Sequence, residues 1–145
     1  MTFIEEIRQM KEEMMDKKLE VKEEIHDYFY HILYSERFTT NLKERFARAY
    51  RDGKNEVTLY VEWWPGASGC SQTNFSITCC GEWYPNRDET IVYSYKGVEL
   101  SPIAEDVVYD LKEMLLSRLY ELELESRADY EEKRIGKEYV VTVRA

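Results

Sequence analysis

The sequence predicts an α+β fold in the order α-α-β-β-β-α-β, a small antiparallel sheet packed with two long amphipathic helices in one domain over residues 1–145. Three observations predict it. Apolar residues recur at steps of three and four through residues 7–32 and again through 103–122, the spacing of one helix face. Residues 57–64 and 75–83 alternate with the period of two that marks a half-buried strand. The stretches around them carry the Gly, Pro, Asn and Ser chemistry of turns. With 145 residues, 43% of them hydrophobic, the chain is long enough to bury one core without staples.

Each element has its own signal. Thr2-x-x-Glu5 is a capping box, and Glu5 and Glu6 place negative charge at the positive end of a helix dipole. The stripe that follows runs Ile7, Met10, Met14, Val21, Ile25, Tyr28, Ile32, broken once at Lys18. A helix over residues 1–35 would be roughly 48 Å long at about 1.5 Å per residue. A compact chain of this size has a radius of gyration of about 15 Å. Such a helix either projects as an arm, kinks, or lies against the other long helix or a second copy, so a homodimer through the long helices is one expectation.

A shorter helix follows Ser35 or Thr40, with Phe38, Leu42, Phe46 and Tyr50 four apart and Gly53 as its stop. In the first strand Val57, Leu59, Val61 and Trp63 face one way and Thr58, Tyr60, Glu62 and Trp64 the other. Residues 65–72 (PGASGCSQ) read as a loop. A second strand alternates Phe75, Ile77, Cys79 and Trp83. A turn at 85–88 leads to a third strand around 91–95, which Lys96-Gly97 ends. Ser101-Pro102 opens the second long helix, whose face is Ile103, Val107, Leu111, Leu115, Leu119 and Leu122. The pattern fades after Leu124 into a charged stretch ending at Gly136, and Tyr139, Val141 and Val143 mark a closing strand.

From the second helix to the third, the order α-β-β-β-α is similar to that of the double-stranded RNA-binding domain. That family places a lysine cluster at the start of its last helix and a basic loop between its first two strands. Here the helix opens Ser101-Pro102-Ile103-Ala104-Glu105-Asp106 and the loop is PGASGCSQ. The residues that would hold RNA are absent, so the resemblance is one of topology and implies no direct nucleic-acid contact.

The net charge of -9 points the same way. Residues 1–36 and 101–136 each carry ten acids and five bases, residues 37–54 carry six bases and two acids, and residues 55–100 six acids and two bases. This balance disfavours phosphate backbones and anionic membranes and favours a protein partner with a basic surface. No segment has the composition of an export signal or a membrane span. Three cysteines without C-x-x-C spacing fit a reducing, cytoplasmic setting.

Candidate chemistry is sparse, and neither a catalytic residue, a metal site nor a cofactor is expected. Cys79 and Cys80 are adjacent and would point to opposite faces of a strand. His26 and His31, five apart on a helix, do not share a face. With Cys70 they read as structural thiols and surface histidines. The pairs Glu12-Glu13, Glu23-Glu24 and Glu131-Glu132 read as solvated, salt-bridged faces. Two sets remain. Tyr60, Trp64, Trp83, Tyr84, Tyr93 and Tyr95 load the sheet with side chains suited to partner binding, unless both sheet faces are covered by helices. Arg45, Arg48 and Arg51 form a basic island suited to an anion.

The function expected from this is a small acidic, non-enzymatic protein-binding module. It would be an inhibitor of a basic nucleic-acid-handling protein, of the anti-CRISPR or anti-restriction type carried by phage or mobile elements. The alternative is a nucleotide-binding or sequestering protein in which sheet aromatics stack on a base and Arg45 or Arg48 takes its phosphate.

Overall fold

The computed structural model describes residues 1–64, 73–85, 94–132 and 137–145. Cys70, Tyr93, the loop at 65–72 and the turn at 86–88 lie outside the described residues. The first helix, α1, is Phe3–Leu33, and its capping box forms as the sequence requires: the Glu5 N–H donates to Thr2 Oγ1 at 3.2 Å and the Thr2 N–H to the Glu5 carboxylate at 3.1 Å. It ends at Tyr34–Ser35, and α2, Glu36–Arg51, follows directly. Ser35 gives its hydroxyl back to the Ile32 carbonyl at 2.6 Å instead of capping α2.

The strands are β1 (Val57–Trp64), β2 (Asn74–Ile77), β3 (Gly81–Trp83), β4 (Ser94–Tyr95), β5 (Val98–Glu99), β6 (Glu125–Glu132) and β7 (Lys137–Arg144). Five of them form an antiparallel sheet in the order β3-β2-β1-β7-β6, and β4 and β5 pair as a separate hairpin. A 3-10 turn at Ser101–Ile103 leads into α3, Ala104–Glu121. The α+β class stands, and α-α-β-β-β-α-β remains the coarse order.

Three elements differ from the sequence expectation, each for a local reason. The single strand through Phe75 and Trp83 is a hairpin, because Cys79 (φ 73°) and Gly81 (φ 87°) take left-handed backbone and reverse the chain over Thr78–Cys80. Trp83 then pairs with Phe75 on the same face, so the apolar alternation survives the turn. The second long helix stops at Glu121, where Glu123 adopts φ 62° and the Leu124 N–H closes on the Leu119 carbonyl at 3.0 Å. It has 18 residues against 31 for α1, so only one helix is long. The charged stretch beyond it is β6, an edge strand. Its inward residues Ser126, Ala128 and Tyr130 are mostly small, and its outward Arg127, Asp129 and Glu131 are the charges that guard an edge.

One face of the sheet builds the core. Val57, Leu59, Val61, Phe75, Ile77, Trp83, Val141 and Val143 pack with Val107, Val108, Leu111, Leu115 and Leu119 of α3 and with Val21, Ile25, Phe29 and Leu33 of α1. α1 and α3 run side by side in the same direction, for Lys22 bridges to Asp106 at 3.5 Å and Arg118 Nε donates to the Leu33 carbonyl at 2.9 Å. That bond satisfies one of the orphan carbonyls at the end of α1. α2 sits beside the first half of β1, which β2 does not reach because β2 pairs only with residues 61–64. The opposite face of the sheet carries no helix among the described residues, and no described helix is long and apolar enough to cross a membrane.

Gly81 also sets a limit on substitution. A Cβ there would meet the Arg37 guanidinium at 3.0 Å on a left-handed backbone. Gly81→Ala is therefore expected to cost about 1–2 kcal/mol in a denaturant titration.

Candidate partner-binding surfaces

The outer face of the sheet is set by register. Cross-strand partners point to the same side, and Glu82, Ser76, Glu62, Glu138 and Glu131 are successive partners across β3, β2, β1, β7 and β6. Four glutamates thus lie in one row across the whole sheet, spanning roughly 19 Å at about 4.8 Å per strand. Glu82 and Glu131 are exposed, Glu62 is half-buried and Glu138 is buried. Tyr60 lies two residues along β1 on one side of this row and Trp64 on the other.

The six aromatics singled out from the sequence therefore separate. Tyr60 is 39% exposed and Trp64 half-buried on the outer face, and Tyr84, one residue past β3, is 55% exposed. Trp83 and Tyr95 are each only 7% exposed and meet edge to face at 5.3 Å. These two are core residues, a correction to their reading as partner-binding positions, because the turn at Cys79 points Trp83 inward and the β4–β5 hairpin folds Tyr95 over it. Tyr93 is outside the described residues.

The hairpin is tied to α1 by charge. Glu24 accepts from the Tyr95 hydroxyl and from Lys96 Nζ, the latter at 2.9 Å. Burial raises the Glu24 pKa, but the Tyr95 and Lys96 bonds outweigh it and hold the carboxyl below its ordinary value. A depressed carboxylate stabilises above its unfolded pKa and loses that contribution as pH falls through the folded one. Acidification below the usual carboxylate range is thus expected to loosen the hairpin's tie to α1 while Tyr95 and Val98 stay packed in the core, read as a change in fluorescence of Trp83 against Tyr95. In Glu24→Gln this acid step should be missing.

The basic island divides as well. Arg45 and Arg48 line an open depression of about 370 Å³ together with Lys54 and Tyr60, and Asp52 and Glu56 share its wall. Arg51 does not line it. Arg45 also reaches the thiol of Cys79, whose pKa burial raises against that attraction. Cys80 is buried, and burial pushes its thiol up to about 12, far from thiolate chemistry. Among the described residues no three His, Cys, Asp or Glu side chains are grouped to hold a metal ion.

No family model, curated protein or solved structure matches the chain. The geometry alone carries the functional reading.

Two features were not fully legible in the sequence. A cleft of about 270 Å³ is lined by Trp63, Tyr109, Tyr130, Tyr139, Glu105 and Asp106, a set no linear spacing groups. Its rings already hold a cation, since Lys112 Nζ lies 4.1 Å from the Tyr109 centroid and 5.0 Å from that of Tyr139 and bonds Glu113 at 2.6 Å. The other is the exposed half of α1. Residues 1–20 are all exposed, and Met1, Phe3, Ile4, Ile7, Met10, Met14, Met15 and Leu19 are large apolar side chains among them. A projecting arm was one of the sequence expectations for this helix; which half projects, with no covering surface among the described residues, was not legible.

Proposed function

We propose that this protein is a non-enzymatic binding module whose outer sheet face receives a protein with a basic surface. The observation that carries the reading is the line of carboxylates on the outer face, with Glu82 and Glu131 exposed at its two ends and Glu62 half-buried between them, flanked by Tyr60 and Trp64. Lysine and arginine side chains of a partner would meet the exposed carboxylates of Glu82 and Glu131, a charge match that steers association and fixes orientation. Exposed aromatics beside the charges supply apolar area with few rotors to order. A row of carboxylates spaced along a surface can stand where nucleic-acid phosphates would lie. An inhibitor of a nucleic-acid-handling protein, of the anti-CRISPR or anti-restriction type found in phage and mobile elements, is the specific form proposed, acting in the cytoplasm.

The test is calorimetric titration against a panel of purified basic nucleic-acid-binding proteins at low and high salt. Binding should weaken with salt, and Glu62→Lys/Glu131→Lys should lower affinity at least tenfold. Binding indifferent to both, or to none of the panel, overturns the reading.

A second reading is favoured by the depression that gathers Arg45, Arg48, Lys54 and Tyr60. There the tyrosine would stack on a base and the arginines take a phosphate. A thermal-shift screen with nucleoside mono-, di- and triphosphates decides it: a shift that Arg48→Ala removes supports the site, and no shift at millimolar nucleotide eliminates it.

A further inference from the structure

We infer that residues 3–19 of α1 pair antiparallel with the same segment of a second copy of the chain. This interface is separate from the sheet face above and independent of its partner. At about 100° per residue, Phe3, Ile4, Ile7, Met10 and Met14 fall on the same side of α1 as Val21, Ile25, Phe29 and Leu33. The latter four are at most 1% exposed, whereas Phe3 is 76% and Met14 45% exposed. The stripe that docks α1 on its own domain continues past that domain with nothing on it among the described residues.

Most helical stability in proteins comes from packing of an amphipathic face, and this half of α1 lacks that contribution among the described residues. Its seven large apolar side chains each expose roughly 100 Å², about 700 Å² together and close to the 800 Å² or so that one partner contributes to a standard interface. Two copies pairing about a two-fold axis cover both stripes at once and leave no further apolar surface to extend.

Charge selects a second copy and its direction. Lys11 and Lys18 lie on the stripe itself, so a parallel, in-register pair would set both against their own counterparts, whereas an antiparallel pair brings only Lys11 near its own. In an antiparallel pair each edge of the stripe faces the same edge of the other copy. Glu6 and Lys17 are eleven residues apart, about three turns, and so share one edge. Pairing centred near residues 11 and 12 therefore brings Glu6 of each copy against Lys17 of the other, and Ile7 against Met15. Lys11, nearest the axis, carries its ammonium out to Glu12 at the rim. An anionic membrane does not fit the same arm. Its polar side carries Glu5, Glu6, Glu12, Glu13, Asp16 and Glu20, which such a surface repels.

Sedimentation equilibrium of the full chain tests this. A dimer is expected at micromolar concentrations, and Ile7→Glu/Met14→Glu should be monomeric with an unchanged core by near-ultraviolet circular dichroism. Glu6→Lys and Lys17→Glu should each weaken the dimer about tenfold, and the two together should restore it. A wild-type chain that stays monomeric at ~100 µM overturns the inference, as does a dimer that survives Ile7→Glu/Met14→Glu. Failure of the double reversal to restore pairing overturns the antiparallel arrangement. Binding of the monomer to vesicles of anionic lipid would assign the stripe to a membrane instead.

Discussion

Val21→Asp is expected to lower the stability of this protein by about 4 kcal/mol, while Met14→Asp, two turns earlier on the same stripe, leaves it within about 0.5 kcal/mol. Val21 is 1% exposed and packed in the core, so a carboxylate there loses its hydration and finds apolar neighbours. Met14 is 45% exposed, and an aspartate there stays in water. For a chain of this length the first change corresponds to a fall in Tm of about 8–16 °C. Thermal unfolding in dilute solution, below the range of self-association, checks the pair. Equal losses at both positions would mean that the arm packs on its own domain in solution.

Phe29→Ala is expected to cost about 3–5 kcal/mol, because the ring is wholly buried where α1 meets the core and a cavity would replace it. Phe29 also meets the edge of Tyr28 at 5.1 Å, and Tyr28 donates its hydroxyl to the Glu82 carbonyl at 2.9 Å. The ring therefore supports the contact between α1 and β3 at the end of the sheet. A urea titration should show the midpoint falling with the slope unchanged, since the unfolded surface is nearly the same. The neighbouring Tyr30, 43% exposed, should tolerate alanine with about a tenth of that cost.

The contrast between Phe29 and Tyr30, or between Val21 and Met14, shows how far local pattern reaches. The capping box at Thr2 and Glu5, the alternation of β1 and the stop at Gly53 depend on neighbours within a few residues, so they were legible from the chain alone. β6 was not, because Ser126 and Ala128 occupy its inward positions and leave no apolar alternation. The β2–β3 turn was hidden for the converse reason: Cys79 is an unusual residue for left-handed backbone, and Trp83 keeps the period after the reversal. Trp83 and Tyr95 looked equivalent to Tyr60 by composition, yet two are core and one is surface.

The candidate site was legible in kind and not in place. Acidity, aromatic content and a basic island were countable, and so was the length of α1 against a small domain. The row from Glu82 to Glu131 exists only through four strand registers that bring together residues up to 76 positions apart in the chain, Glu62 and Glu138. Arg48 joins Tyr60 only because β2 ends early and leaves α2 room beside β1. Local propensity and hydrophobic period are properties of neighbouring residues, and they determined the helices, the main strands and the amphipathic stripe of α1. Which half of that stripe is buried depends on where α3 and the sheet end, and that was decided only when the whole chain packed.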